Sequence, residues 1–272
     1  MKDLSKIPFL PLAWIFGFIT GLRNAFYDWG FLKSYSPQKH TICVGNLSVG
    51  GSGKTPMVNY LVTLLKDEFK LATLSRGYKR KTTGFVEATS NSTSREIGDE
   101  PLLYKSKFPF LNVFVEGNRV KGVKKITALY PDTQAILLDD AFQHRAIKCG
   151  LNIVLSEYDH LYFNDYLMPA GRLRESISGM KRADIIVITK THEKATAVDM
   201  RNILKDIKPL AHQQVFFSYL KYGELYSISN ANEIISTLND LFRFKLIVFA
   251  GIANPQPMLT YLKEYSAGIS HL

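Results

Sequence analysis

The stretch Ile42–Met57, ICVGNLSVGGSGKTPM, decides the fold because an apolar strand runs into a glycine-rich loop and then into an amphipathic helix. Glycine has no Cβ, so such a loop can take positive φ and point successive backbone N–H groups at polyphosphate oxygens. The start of the following helix adds the positive end of its dipole. The sequence therefore predicts a phosphate-binding loop, with the residues Gly50, Gly51, Ser52, Gly53, Lys54 and Thr55.

Two side chains at the end of this loop suit a nucleotide. Lys54 offers a positive charge to the phosphates, and the hydroxyl of Thr55 is a ligand for Mg²⁺. The usual pattern has a glycine five positions before Gly53, where this chain has Ser48. A glycine turn with a solvated lysine is the alternative, but the strand before the loop and the helix after it favour nucleotide binding.

Size and composition are those of a globular protein with an anionic partner. The 272 residues are 46% hydrophobic and 21% charged, which is ordinary for one or two domains. Lysine and arginine number 34 against 24 acidic residues, a net charge of +10. Such a charge points to nucleic acid, acidic lipid or a phosphorylated substrate. Cys43 and Cys149 have neither metal-ligand spacing nor a disulfide-rich context, which favours a reducing compartment.

The N-terminal segment favours a membrane surface. No residue from Ile7 to Leu22 is charged, and aromatic residues continue as far as Phe31. The uncharged run is shorter than the ~20 residues that usually span a bilayer, and aromatic residues mixed with basic ones suit a helix in the headgroup region. A signal peptide and a helix packed on the protein's own core are the alternatives. We expect residues 1–36 to form an interfacial helix.

After residue 36, apolar strands alternate with helical stretches, which is typical of an α/β fold with a mostly parallel sheet covered on both faces. We predict this fold over residues 37–213 and a second, smaller α/β unit over residues 219–272. Thr82–Ser94 is predicted to be an exposed hairpin or loop. The predicted helices are Thr55–Phe69, Arg119–Leu129 and Lys194–Ile207, and the predicted strands are Thr41–Val44, Leu71–Ser75, Val113–Glu116, Ala135–Asp139, Leu151–Leu155, Ala183–Thr189, Val215–Leu220 and Lys245–Ala250.

Phosphoryl transfer needs metal-held phosphates, a positioned nucleophile and cations near the developing charge. The apolar strand Ala135–Asp139 is followed by a second carboxylate, Asp140. P-loop enzymes hold Mg²⁺ with carboxylates in this position, although such a pair can also cap a helix. Gln143 and His144 follow within one turn and would face the same cleft.

Further candidates lie in three short segments. Asp99 precedes a predicted helix at Pro101 and is either its N-cap or a base that accepts a substrate hydroxyl proton. Arg119 begins a helix, where a cation opposes the helix dipole and more readily serves a ligand. The turn Pro169–Glu175, PAGRLRE, carries two arginines and a carboxylate, for which local ion pairing is the alternative.

Together these motifs resemble the tetraacyldisaccharide 4′-kinases, the lipid A 4′-kinases of outer-membrane biogenesis. The likeness runs from the aromatic N-terminal helix to about Pro255, and members of that family carry serine or threonine at the position of Ser48. The occurrence of all these motifs in the same order is more specific evidence for the family than the phosphate-binding loop alone. The motifs are VGNLSVGGSGKTP, LSRGYKRK, GDEP, EGNR, LLDDAFQHR, PAGRLRE and GIANP.

The resemblance implies transfer of the γ-phosphate of ATP, with Mg²⁺, to the 4′-hydroxyl of tetraacyldisaccharide 1-phosphate, which gives lipid IVA in lipid A biosynthesis. It implies a peripheral protein on the cytoplasmic face of the inner membrane. The implied partners are the lipid substrate and the anionic membrane surface, without nucleic acid, and no feature of the sequence specifies an oligomeric state. The family fold has two α/β/α units joined by a two-stranded linker, with the active site in the cleft between them.

When the roles of the family's motifs are assigned to the matching residues of this chain, the resemblance also implies the residues of the site. Lys54 and Asp99 are its implied catalytic residues, with Asp99 as the base. Arg174 is implied to lie near the phosphates, and His144 belongs to a motif without an assigned role. The implied metal side consists of Thr55, Asp139, Asp140, Gln143 and Glu175. The residues implied to meet the acceptor or the phosphates are Arg76, with the rest of its loop to Lys81, and Arg119.

A membrane-attached partitioning or positioning ATPase is the rival class, since it also has a glycine pair before GKT and a lipid-binding helix. That class has a lysine directly before the glycine pair, where this chain has Val49. The PAGRLRE segment has no role in that class. A nucleic-acid-binding ATPase would explain the charge but not the N-terminal helix.

Members of the resembled family continue to an Asp-His pair whose histidine assists the catalytic aspartate. His271 lies too close to the GIANP motif to be that residue. We therefore expect a chain that ends at Leu272 to lack the pair, to have an incomplete second unit and to have reduced activity.

Overall fold

The computed structural model describes residues 4–223, 225–226, 234–235, 241–242, 245–251, 255–266 and 268–271. The chain divides into two units, Met1–Tyr219 and Leu220–Leu272, and each is described by itself. The middle residues of the GIANP motif, 252–254, lie outside the described residues.

An eight-stranded sheet forms the centre of the first unit, in the order β3-β4-β2-β5-β1-β6-β7-β8. Each neighbouring pair is parallel except β3 with β4. The predicted α/β fold with a mostly parallel sheet is confirmed. The strands are β1 (His40–Asn46), β2 (Leu71–Ser75), β3 (Val86–Glu87), β4 (Asn112–Val115), β5 (Ala135–Asp139), β6 (Leu151–Glu157), β7 (Ile185–Thr189) and β8 (Gln214–Phe217).

Helices cover both faces of this sheet. Successive residues of β5 point to opposite faces, so Ile136 packs in a buried cluster with Val123 of α5, whereas Leu137 packs in a second cluster with Val58 of α2. Short 3-10 helices lie at Leu4–Phe9, Tyr162–Asn164 and Ile177–Arg182. The α-helices of the unit are α1 (Leu10–Asp28), α2 (Lys54–Leu65), α3 (Ser94–Ile97), α4 (Asp99–Lys107), α5 (Arg119–Leu129) and α6 (Ala197–Ile207).

The register of the central strands places the candidate residues at one edge of the sheet. β1 lies between β5 and β6, and Val44 of β1 stands opposite Asp139 of β5. Because parallel strands share a direction, the loop after β1 and the carboxylates at the end of β5 meet at the carboxyl edge of the sheet. In open α/β sheets ligands bind at this edge, where the strand order reverses.

Three local details differ from the sequence-based expectation. Within Thr82–Ser94, β3 joins the sheet as an antiparallel edge strand, because Ala88 is buried and its N–H donates to the carbonyl oxygen of Val113 (2.8 Å). Helix α6 begins at Ala197 because Thr196 and Asp199 form a capping box. Strand β8 ends at Phe217, before the predicted end of that strand at Leu220. The division into segments 1–36, 37–213 and 219–272 stays a prediction.

Helix α1 is mostly exposed, with Ala13 as its buried residue. The side chains of Trp14 and Phe18 are 70% and 71% exposed. The helix is therefore not buried in the protein's own core, although its inner face at Ala13 packs on the protein. The segment Ile7–Asp28 is long and apolar enough to cross a membrane by length and composition, and its placement at the membrane interface stays a prediction.

The second unit contains two small pieces of sheet among its described residues. Strands β9 (Leu225–Tyr226) and β10 (Ile234–Ile235) pair antiparallel, and β11 (Lys245–Val248) pairs parallel with β12 (Gly268–His271). Helix α7 (Gln256–Lys263) connects the second pair along the chain and buries Leu259. This β-α-β arrangement agrees with the predicted α/β character of the unit.

Candidate active site

The backbone of the glycine-rich loop has the predicted conformation. Gly50 and Gly53 have φ values of 120° and 85°. Residues that have a Cβ rarely adopt such positive φ values. Gly53 is the N-cap of α2, which begins at Lys54. The hydroxyl of Thr189, at the end of β7, donates to the carbonyl oxygen of Ser52 (2.9 Å) and fixes the loop to the sheet. The loop thus lies at a helix N-terminus, where anions bind.

The PAGRLRE segment runs alongside the entrance to this loop. The N–H of Val49 donates to the carbonyl oxygen of Arg172 (2.8 Å), and the N–H of Arg174 donates to that of Leu47 (2.7 Å). These bonds form a short antiparallel pairing between Ser48 and Leu173. They bring the side chain of Arg174 to the carboxyl edge of the sheet, and its implied place near the phosphates stays a prediction.

Asp140 lies between two cations. Arg174 donates to both of its carboxylate oxygens (3.0 and 2.8 Å), and the Nζ atom of Lys54 lies 3.7 Å from Oδ1. Burial alone would raise the pKa of Asp140, but the hydrogen bonds of Arg174 and the charge of Lys54 outweigh it and lower the pKa. Asp140 is therefore ionised at neutral pH and holds both cations beside the loop.

Asn46, the last residue of β1, is a member of the site that the sequence analysis missed. Its side-chain oxygen accepts from Lys54 Nζ (3.3 Å) and from Arg174, and its backbone oxygen accepts from Arg174 (3.2 Å). A polar side chain that ends a buried strand just before the loop was the available signal.

Asp139 is a buried carboxylate, and within the described residues only one of its two oxygens accepts hydrogen bonds. The residue is 1% exposed, and its Oδ2 atom accepts from the hydroxyl groups of Tyr104 (2.9 Å) and Ser75 (3.4 Å). Its Oδ1 atom has no hydrogen-bond partner among the described residues. Burial raises the pKa of Asp139 to about 7, and the negative charge of Glu100 adds to the effect. An oxygen of this kind is suited to a cation.

Glu100 is the second residue that the sequence analysis missed. The hydroxyl of Thr55 donates to its Oε1 atom (3.3 Å). Thr55, Glu100 and Asp139 together offer the oxygen ligands that Mg²⁺ prefers. Within the described ranges, no group of three or more His, Cys, Asp or Glu side chains is arranged to hold a metal. A Mg²⁺ ion here would therefore need phosphate and water oxygens as well, which is its usual mode of binding.

Glu175 accepts from nitrogen donors, one of which is the side-chain amide of Gln143. Glu175 is 3% exposed, and both of its oxygens accept from Arg182 (2.9 Å each). The side-chain amide of Gln143 donates to Glu175 Oε1 (3.1 Å) and to the backbone oxygen of Asn46 (2.9 Å). These contacts support a role in positioning the site, and the implied role on the metal side stays a prediction for both residues.

Asp99 is the first residue of α4, and its side chain is exposed. The interpretation of Asp99 as an N-cap is wrong, because Gly98 occupies that position with a φ of 92°. A Cβ on Gly98 would lie 3.0 Å from the carbonyl oxygen of Tyr78. The basic loop Arg76–Lys81 therefore packs against the turn that carries Asp99. The role of Asp99 as a base stays a prediction.

Arg119 begins α5 as predicted and lies beneath the end of β5. The residue is 3% exposed, and its guanidinium donates to the backbone oxygens of Asp139 (3.3 Å), Asp140 (3.1 Å) and Gly117 (3.0 Å). Burial lowers the pKa of Arg119. The carbonyl groups that Arg119 binds therefore explain why a positively charged residue stands at the start of this helix. Its contact with acceptor or phosphates stays a prediction.

His144 lies among arginine side chains. Burial lowers its pKa, and the positive charges of Arg119, Arg23 and Arg76 lower it further. Its Nε2 atom is buried without a hydrogen-bond partner in the part of the chain that the structure describes. The imidazole is therefore neutral at neutral pH. Arg76 itself is exposed directly after β2, at the same edge of the sheet.

The fold and the site define a P-loop α/β protein with paired carboxylates and cations at its phosphate-binding loop. A family model described as tetraacyldisaccharide-1-P 4′-kinase matches residues 5–271. The chain belongs to the tetraacyldisaccharide-1-P 4′-kinase family. The resemblance drawn from the motifs is confirmed, and the kinase class is favoured over the partitioning ATPase.

Individual relatives agree with this family. The tetraacyldisaccharide 4′-kinase of Bacteroides thetaiotaomicron is 44% identical over 270 residues, which cover 96% of this chain and 71% of that protein. That of Flavobacterium johnsoniae is 46% identical over 97% of this chain and 76% of its own length. The crystal structure of LpxK from Aquifex aeolicus in complex with ATP is 30% identical, with a TM-score of 0.75 over 99% of this chain and 82% of that one.

The raised pKa of Asp139 predicts a pH-dependent effect on stability. Between its usual value of 3.8 and about 7, folded Asp139 holds a proton that the unfolded chain has released. The contribution of Asp139 to the free energy of unfolding therefore falls as the pH rises to about 7. Without Mg²⁺ and nucleotide, we expect Asp139→Asn to become progressively more stable relative to the parent protein from about pH 5 to about pH 8.

Urea denaturation at several pH values measures this difference. Asp132→Asn is the matched control, because Asp132 is exposed and pairs with Lys70 at the surface. The control should show no such trend. A constant stability difference between Asp139→Asn and the parent across this pH range would contradict the buried state of the carboxylate.

Proposed function

We propose that this protein transfers the γ-phosphate of ATP to the 4′-hydroxyl of tetraacyldisaccharide 1-phosphate. The observation that carries the proposal is the meeting of the glycine-rich loop with Asp139, Asp140 and Arg174 in a chain of this family. The curated relatives bear the name tetraacyldisaccharide 4′-kinase, and the Aquifex aeolicus relative was crystallised with ATP.

The phosphates of ATP are bound by the backbone amides of Gly50–Thr55 and by two cations. Lys54 supplies a compact charge, and Arg174 supplies a planar fork of donors. Asp140 holds both side chains at the loop. Since these cations are held in advance, they stabilise developing charge without reorganisation during the reaction, which is the largest single term in many enzymes.

The oxygen atoms of Thr55, Glu100 and Asp139 would hold Mg²⁺. When bound, the ion supplies positive charge that neutralises the phosphate oxygens during transfer. The unpartnered Oδ1 atom of Asp139 is the observation that supports this assignment. Gln143 donates to the backbone oxygen of Asn46 and to Glu175, which follows Arg174 in the chain.

Asp99 accepts the proton of the acceptor hydroxyl. As this proton leaves, the hydroxyl oxygen forms a bond to the γ-phosphorus, and the bond from that phosphorus to the β–γ bridging oxygen breaks. Asp99 is exposed at the start of α4 beside the basic loop Arg76–Lys81. This loop offers cations for the anionic acceptor, with Arg76 directly after β2.

Helix α1 attaches the protein to the cytoplasmic face of the inner membrane as a peripheral protein. Its exposed aromatic side chains and the net charge of +10 suit an anionic lipid surface. The acylated acceptor would be presented at the same surface.

We expect the parent protein to phosphorylate the disaccharide lipid in detergent with labelled ATP and Mg²⁺. Lys54→Ala should slow the transfer by roughly 10²–10³, because it removes a charge held beside the phosphates. Lys66→Ala is the control, since Lys66 lies on the surface beside Asp67. Formation of ADP without phosphorylated lipid by the parent protein would instead identify an ATPase of the partitioning class.

Asp99→Asn should retain ATP binding and lose about 10²-fold in kcat, since it keeps the shape of the side chain and removes the base. Steady-state kinetics on the lipid acceptor, together with ATP titration, measures both effects. Asp67→Asn, at an exposed surface position, should match the parent protein. A variant with unchanged kcat and only a lower Tm would remove Asp99 from the reaction.

The double substitution Trp14→Ser and Phe18→Ser should weaken binding to vesicles that contain anionic lipid. Losing two exposed aromatic side chains from the lipid surface costs on the order of 3 kcal/mol, or about 10²-fold in partitioning. Vesicle co-sedimentation at physiological salt measures it, with Tyr60→Ser on α2, another exposed aromatic position, as the control. Equal sedimentation of all three proteins would show that α1 does not bind the membrane.

A further inference from the structure

The two faces of α1 differ in chemistry. Its outer face carries Trp14 and Phe18, whereas Ala13 is buried on the inner face. Gly17 lies four residues further along this inner face, and a Cβ on it would come within 2.6 Å of a methyl group of Leu167. The small residues therefore let α1 approach the loop that leads into PAGRLRE.

Asn24 continues the inner face and reaches the buried carboxylate of Glu175. Its side-chain Nδ2 donates to Glu175 Oε2 (2.8 Å). The other donors to Glu175 are Arg182 and Gln143. A buried carboxylate depends on all of its donors, because each unsatisfied lone pair carries a desolvation cost. Helix α1 thus supplies one of the groups that fix Glu175.

Glu175 is connected to the phosphate-binding groups by short steps. It directly follows Arg174, which binds Asp140 and Asn46. It also accepts from the amide of Gln143, which in turn donates to the backbone oxygen of Asn46. The Nζ atom of Lys54 lies 3.3 Å from Asn46 Oδ1. A continuous chain of hydrogen bonds therefore runs from α1 to both cations of the loop.

Neighbouring residues of α1 hold this contact in register. Arg23 donates to the backbone oxygen of Gln143 (2.9 Å). Arg145 donates to the backbone oxygen of Asn24 (3.4 Å) and pairs with Asp28 (2.7 Å). The last turns of α1 are thus fastened to the segment that follows Asp140.

We propose that Asn24 is a positioning residue of the phosphate-binding site, which acts through Glu175 to hold Gln143 and Arg174. Helix α1 then has two separable roles. Its outer face meets lipid, and its inner face supports the ATP site through Glu175. The inference rests on the proposed function in so far as Arg174 binds the phosphates of ATP.

Titration with MgATP tests this role independently of phosphate transfer. Asn24→Ala should weaken ATP binding on the order of tenfold, the lower end of the effect of removing a supporting hydrogen bond. Asn24→Asp should weaken it further, because it has the same shape but sets a second carboxylate beside Glu175. Thr20→Ala is the matched control on the same helix, since among the described residues the Thr20 hydroxyl bonds only to the helix's own backbone oxygens, at Phe16 and Gly17.

Two further measurements separate positioning from simple packing. Vesicle binding of Asn24→Ala should equal that of the parent protein, because the outer face is intact. In a Glu175→Gln background, Asn24→Ala should have a smaller effect on ATP affinity than in the parent, because both substitutions act on one hydrogen bond.

Unchanged ATP affinity in both Asn24→Ala and Asn24→Asp, with only a lower Tm, would overturn the proposal. If the parent protein binds MgATP and yet does not phosphorylate the lipid, the proposed acceptor is wrong, while the ATP titrations still decide the role of Asn24.

Discussion

The parallel pairing of β1 with β5 is the constraint on which the site depends. It sets Val44 opposite Asp139, so that the glycine-rich loop and the two carboxylates leave the sheet side by side. Arg119 then binds the backbone oxygens of both aspartates from below. A shift of this register would separate the loop from its carboxylates while each strand remained intact. Both core clusters, which pack on opposite faces of β5, hold this register.

Two adjacent carboxylates at one strand end have opposite electrostatic environments. Asp140 is held in its charged form by Arg174 and Lys54. Burial and the like charge of Glu100 make the ionisation of Asp139 unfavourable without a cation, and the hydrogen bond from Tyr104 only partly offsets them. The first arrangement keeps the loop's cations in place. In the second arrangement, the carboxylate must lose its proton before it can bind a metal ion.

Sequence patterns predicted the features of the structure that depend on residues close together in the chain. Long apolar strands, the loop at Gly50–Thr55 and the carboxylates at the end of β5 were all placed correctly. Glu100 and Asn46 were missed, because their roles come from contacts between elements far apart in the chain. Asp99 fits an N-cap by residue type, yet the packing of the basic loop requires glycine at the cap itself. The fold could thus be predicted, whereas the partners within the site needed the structure.

Helix α1 shows the same division between pattern and contact. Its aromatic composition indicated a lipid surface, but the sequence pattern did not predict the role of the few small and polar residues between the aromatic ones. Ala13 and Gly17 allow close approach, and Asn24 reaches Glu175. In the proposed function α1 faces lipid while the loop binds ATP, so the two elements need a set relation to each other. A polar contact between α1 and a buried carboxylate meets this need, because its directional donors fix orientation as well as distance.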